Sequence, residues 1–195
     1  MTRIGGKQEI ECNIMEENIV LRRVWAMPNG KTFSVKPIKE IIEKYIKELD
    51  AKVIIDPFAN GSKIGTVTND IDPSQDTDYH MDAIEFLEMF DDNSADMVLY
   101  DPPYSPTQVK ILYNKLDKTV DFESTSAGYW SKTKAQIARI LKPGGVCITC
   151  GWNSGGVGKC NNMEKIEILL VPHGGMHNDT IVVAERKIGK DDNNK

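Results

Sequence analysis

Asp101-Pro102-Pro103-Tyr104 directly follows the apolar run Met97-Val98-Leu99-Tyr100 and gathers more chemistry into four residues than any other stretch of the chain. Two successive prolines lack amide donors and fix φ, so neither a strand ladder nor a helix continues through them. A buried strand is therefore expected to end at Asp101 and hand over to a stiff turn. At the carboxyl edge of an α/β sheet, where such folds bind ligands, that turn presents a carboxylate, prolyl carbonyls and an aromatic face. The set suits a flat ring with an exocyclic amine, because Asp101 and a carbonyl can accept both amine hydrogens while Tyr104 stacks on the ring. An Asp-Pro turn after a strand accounts for the same residues without any ligand.

Other positions carry weaker signals. Asp56-Pro57-Phe58-Ala59-Asn60-Gly61 is a small loop after a predicted strand and before a predicted short helical turn, where backbone amides can approach a ligand. Asp70 closes the next strand, the place where nucleoside-binding α/β folds put an acid on ribose hydroxyls; Asp72 competes for that role. Asp82 is a helix cap by pattern, with Glu85 three residues on. Cys147-x2-Cys150 with His173-x3-His177 has the residue types of a zinc site, but odd spacing along a strand sends the two thiols to opposite faces, so no metal is expected. The glycine-rich segment Gly151–Lys159 lacks the Ser/Thr of a phosphate loop, since Cys160 follows Lys159. It reads instead as a mobile loop that brings Trp152 and Lys159 beside the target pocket, with the His173–Asp179 loop near the site.

These residues need a scaffold. Ile38, Ile41, Ile42, Tyr45, Ile46 and Leu49 form one stripe of a helix opening at Pro37. Helices are also predicted over 82–90 and 133–141, the last ending at Lys142-Pro143-Gly144-Gly145. Strands are expected at 52–55, 66–69, 97–100, 146–150, 167–171 and 180–184, and Asn29-Gly30 predicts a hairpin joining 24–27 to 31–33. Strands alternating with helices imply an α/β architecture with a mainly parallel sheet and helices on both faces. Only ten residues separate Ile55 from Thr66, so a helix there has one or two turns at most.

Composition sets the outer bounds. At 195 residues, 40% hydrophobic and 27% charged, the chain is expected to be one domain, with 1–20 and 189–195 peripheral. It has no run of membrane-spanning length or signal-peptide core, and four cysteines are too few for a disulfide scaffold, so a cytoplasmic protein is expected. The net charge of −5 hides segregation: residues 64–109 hold 11 acids and no Lys or Arg, leaving 24 basic against 18 acidic side chains elsewhere. A positive face for a polyanion therefore remains available.

Lys36-Pro37, Asp56 to Gly61, Asn69-Asp70 and Asp101 to Tyr104 occur in one order, each at a predicted element end. In this the chain resembles the adenine-specific N6 DNA methyltransferases, and more narrowly the compact solitary type of phages and mobile elements. The narrower likeness extends through Gly151-Trp152-Asn153-Ser154 and His173-Gly174-Gly175 to Ile181, covering most of residues 20–187. The resemblance implies a Rossmann-like methyltransferase fold, doubly wound and mainly parallel with a terminal antiparallel strand, and S-adenosyl-L-methionine as methyl donor. It implies catalytic roles for Asp101, Pro102, Pro103 and Tyr104, and cofactor contacts from Lys36, Pro37, Asp56, Pro57, Phe58, Asn60, Gly61, Asp70 and Asp82. Lys36-Pro37 would flank the methionine end and Asp82 the adenine amine, while Asn60 stands where the family's loop often has Gly. The implied reaction is direct methyl transfer to N6 of a flipped-out adenine in DNA. The same chemistry on RNA, or a non-catalytic nucleic-acid-binding partner subunit, is the alternative. No target-recognition domain fits between Ser62 and Asp101, so residues 105–131 and the 151–162 loop are what remains to read sequence, and specificity is expected to be weak or to be supplied by a homodimer or a partner subunit.

Overall fold

The structure, a computed structural model, describes residues 19–104, 107–108, 127–175 and 177–189. The chain-order elements are β1 (Val20–Arg23), α1 (Lys36–Leu49), β2 (Ile54–Asp56), β3 (Val67–Thr68), α2 (Ala83–Glu88) and β4 (Ala95–Tyr100). After these come α3 (Ala127–Ile140), β5 (Leu141–Gly151), β6 (Met163–Val171) and β7 (Thr180–Lys187). The expectations placed on residues 1–18, on most of 105–126 and on 190–195 lie outside the described residues.

The strands form one seven-stranded sheet in the order β1-β6-β7-β5-β4-β2-β3. All pairings are parallel except those of β7, which runs antiparallel to both β5 and β6. Alternation along β4 sorts the core into two layers. Met97 and Leu99 face the α1 stripe of Ile38, Ile41, Ile42 and Tyr45, while Val98 and Tyr100 face α2 and α3 through Phe86, Leu87, Ile137 and Ile140. Each of those fully buried isoleucines contributes about 1.5–3 kcal/mol by leaving water. Successive strands run outward from β2 to β3 and then return to β4 on the other side, so the chain order reverses between β2 and β4. Open α/β sheets bind ligands in the crevice at such a reversal.

Three local expectations fail and one strand was not foreseen, each for a visible reason. The 24–33 segment is no hairpin: Val24 and Ala26 donate to Leu170 and Pro172 carbonyls at 2.9 and 3.2 Å, continuing alongside β6. Asn29 Oδ1 instead accepts from the Lys31 amide at 2.8 Å, and the chain winds into a 3-10 turn at Thr32–Ser34. No helix joins β2 to β3; Asn60 and Gly61 take left-handed backbone (φ 45° and 69°) and the loop crosses without one. Lys142-Pro143-Gly144-Gly145 does not separate α3 from a later strand but forms the start of β5, where the register slips between Ala95↔Leu141 and Met97↔Val146. The edge strand β1 was invisible in sequence because its residues are largely exposed and show no alternation.

Candidate active site

Two cavities open on the carboxyl edge at the β2/β4 crevice, of about 400 and 270 Å³. Thr32, Phe58, Asn60 and Asp101 line both and form the partition between them. The larger is acidic: Asp70, Asp72, Asp82 and Asp101 line it, with Pro57, Pro102, Pro103, Tyr104 and Trp130 as apolar walls and no Lys or Arg among the described residues. The smaller carries Lys31, Lys39 and Lys63 beside Ser34, Gly61 and Ser62.

The loop after β2 is built by backbone pairing. The Asn69 amide donates to the Asp56 carbonyl and the Ala59 amide to the Asn69 carbonyl, both at 2.9 Å. The Asn69 side chain then donates to the Pro57 and Met81 carbonyls at 3.1 Å and accepts from the Met81 amide at 3.0 Å. One buried amide thus fixes the strand ends of β2 and β3 and the approach to α2. Asp70 binds the Asn60 amide with one oxygen and the Asp72 amide with the other, both at 2.9 Å. Asp72 holds the Ser74 amide and hydroxyl at 2.9 and 2.6 Å. Both carboxylates line the larger cavity while shaping its wall. Asp82 caps α2 through the Ile84 amide at 2.7 Å, as its pattern predicts, and also accepts from the Tyr129 hydroxyl.

Asp56 and Asp101 end adjacent parallel strands on the α1 face. Asp56 is fully buried; its Oδ1 accepts from the Phe58 amide at 3.2 Å, and its Oδ2 has no partner among the described residues. Burial pushes its carboxyl well above the usual range; the Phe58 amide pulls it down, and the Asp101 and Asp70 charges push it up further. Burial likewise raises Asp101, against the pull of the Tyr104 and Thr32 hydroxyls. The Tyr104 hydroxyl donates to Asp101 Oδ1, and the Tyr104 ring meets Trp152 edge-on with centroids 5.5 Å apart.

The structure brings Pro57, Phe58, Asn60, Asp70, Asp82 and Asp101 through Tyr104 to the larger cavity and Gly61 to the smaller one. Asp56 lies behind the loop and lines neither. Lys36 and Pro37 also line neither: Lys36 points to solvent 4.0 Å from Glu40, and Pro37 is buried at the helix start. Lys31 and Lys39 stand at the cavity instead. Trp152 sits beside the tetrad as expected, but Lys159 belongs to a 3-10 turn against α3, and its loop is anchored where the Val157 and Gly158 amides donate to Glu185. His173 is buried between the Ala26 carbonyl (2.7 Å) and the Thr180 hydroxyl (2.8 Å), away from both cavities. Cys147 and Cys150 occupy opposite faces of the sheet. Sequence reasoning missed Thr32, Tyr129 and Trp130; the adjacent aromatics upstream of the predicted 133–141 helix were the available signal.

No protein-family model matches the sequence, and no curated protein does. Solved structures do. The protein yhhF of Escherichia coli, assigned as a methyltransferase, superposes with a TM-score of 0.51 at 12% identity over 85% of this chain and 92% of its own. The 1,6-didemethyltoxoflavin-N1-methyltransferase of Burkholderia thailandensis, solved with S-adenosylhomocysteine, gives 0.49 at 12% over 77% and 78%. A DNA modification methylase assigned in Thermus thermophilus gives 0.36 at 16% over 54% and 50%. The strand order, the single antiparallel strand between β5 and β6 and the yhhF superposition together give this chain the Rossmann-like fold of the S-adenosylmethionine-dependent methyltransferases.

Proposed function

We propose that this chain transfers a methyl group from S-adenosyl-L-methionine to the N6 amine of adenine in DNA. The observation that carries the reading is the position of Asp101: it is part of the wall shared by an acidic cavity and a lysine-bearing one, at the point where the strand order reverses.

The cavities fit the donor's two ends. Asp70 and Asp72 suit ribose hydroxyls, while Asp82, Trp130 and Pro102 suit an adenine ring in the larger space. Lys31 and Lys39 suit a carboxylate in the smaller one. When bound, the cofactor supplies a methyl group already activated on a sulfonium. The chain's own contribution is placement. Asp101 and the Pro102 carbonyl accept the amine hydrogens, which directs the nitrogen lone pair outward, and Tyr104 supports the ring. With the donor bound, the amine nitrogen would take the methyl group, and its surplus proton would pass to water at the mouth of the cavity.

The test is tritiated methyl transfer to duplex DNA, single-stranded DNA and RNA in parallel, followed by digestion to nucleosides. Label in N6-methyladenosine from RNA alone would replace the polymer, and no label in any arm would leave a binding subunit. Asp101→Ala should lower kcat by at least about a hundredfold, the loss typical of removing one group that stabilises the transition state, with circular dichroism unchanged.

A further inference from the structure

The acceptor that an incoming amine needs is already taken. Tyr104 donates its hydroxyl to Asp101 Oδ1, and the Thr32 hydroxyl also bonds to this carboxylate. A phenol in hydrogen bond with that oxygen must hold its ring within a few ångströms of it. A base whose amine reached the same oxygen would fill that space, so the two arrangements exclude each other. Trp152 meets the Tyr104 ring edge-on and is itself 42% exposed, with an open flank toward solvent.

We propose that Tyr104 is a gate, closed onto Asp101 in the free protein, and that an amine-bearing base opens it by exchanging its own amine hydrogens for the Tyr104 hydroxyl. Once displaced, Tyr104 becomes one wall of the base site, and Trp152, on the Gly151–Gly155 segment, is a positioning residue that braces the closed ring and flanks the open one. This rests on the proposed function, and it assigns the selectivity of that site to an exchange of hydrogen bonds at Asp101. A ring with a carbonyl in the amine's place, as in inosine, sets acceptor against acceptor at Asp101 and has no hydrogen at that position to exchange for the Tyr104 hydroxyl, which is costly in a partly buried site.

Calorimetric titration of the S-adenosylhomocysteine-saturated protein with adenosine 5′-monophosphate and inosine 5′-monophosphate tests the gate. Tyr104→Phe keeps the ring but has no hydroxyl to displace, so it should bind the adenosine nucleotide about fivefold tighter than wild type, the size of one ordinary hydrogen bond. Its affinity for the inosine nucleotide should not change. Trp152→Ala should weaken adenosine nucleotide binding about fivefold or more, and Trp152→Phe should restore it. Unchanged or weaker binding by Tyr104→Phe, equal tightening for inosine, or no nucleotide binding by any variant overturns the gate. Wild-type methyl transfer to nucleic acid alongside any of these results leaves the proposed function standing; a wild type that transfers no methyl group removes both.

Discussion

Tyr129 in α3 donates its hydroxyl to Asp82 Oδ2 at 2.7 Å, while the other oxygen of the same carboxylate caps α2 through the Ile84 amide at 2.7 Å. One side chain therefore ties the two helices of one sheet face together at the wall of the larger cavity. The two ends of this link should not cost the same to cut. Tyr129→Phe leaves Asp82, which water can reach, and should lose about 0.5–1 kcal/mol. Asp82→Ala removes the cap and takes a carboxylate acceptor away from a buried phenol, so about 2–3 kcal/mol should be lost. Urea midpoints of the two variants, compared at a common slope, check the order.

Asp56 gives the opposite kind of prediction, a polar group whose neutralisation helps. Its carboxyl is raised in the folded state, mainly by burial and then by its carboxylate neighbours, so the folded protein holds a proton that the unfolded chain releases at the ordinary aspartate value. Folded protein binds more protons than unfolded, and stability falls as pH rises from that ordinary value toward the raised one. Asp56→Asn should raise the urea midpoint at pH 7.5 by an amount worth about 1 kcal/mol, with the gain shrinking toward about pH 4. A gain that grows on acidification would contradict the burial argument.

Much of this site was legible before any coordinates. The Asp101 tetrad declared itself because two prolines end a strand in only one way, and Asp82 because a capping residue has a local signature. The α1 stripe was equally plain, since six apolar residues at helical spacing admit one face. What failed were features decided by distant partners. Asn29-Gly30 has hairpin chemistry, yet the β6 edge captures the backbone before it and the Lys31 amide captures its side chain. The resemblance put Lys36-Pro37 beside the methionine end of the cofactor, but the Lys36 side chain points away while Lys31, five residues earlier, faces the cavity. No local pattern encodes that difference.

Glu167 behaves in the reverse sense to Asp56. It is fully buried in β6 and binds Arg22 of β1 at 3.0 Å, Lys44 of α1 at 2.6 Å and the Tyr45 hydroxyl at 3.1 Å. Burial pushes its carboxyl up, but the bonds from Lys44, Tyr45 and Arg22 outweigh it and leave the group below its ordinary value. Its stabilisation is therefore present at neutral pH and lost as pH falls through the lowered value. Glu167→Gln should cost about 1–2 kcal/mol at pH 7, less than a fully buried pair because Arg22 and Lys44 can rehydrate. The difference from wild type should fade below about pH 4 in urea titrations.

Gly156 tests whether the loop carrying Trp152 is held from behind. It has φ 61°, and a Cβ built there would overlap the Glu185 carboxylate that anchors the Val157 and Gly158 amides. Gly156→Ala must therefore pay for left-handed backbone and also push Glu185 off its two amide donors, one of them buried. The expected loss is about 2–4 kcal/mol in thermal or urea unfolding. Because Trp152 is only four residues away and meets Tyr104 edge-on, the substitution should also weaken adenosine nucleotide binding, as Trp152→Ala does. Gly155→Ala is the control: a Cβ there meets only the exposed Asn153 side chain, 2.8 Å from its Oδ1, which can rotate aside at the cost of one exposed bond from the Gly155 amide that water replaces. It should keep both stability and nucleotide binding near wild type, and equal losses from the two substitutions would show that Glu185 does not hold the loop.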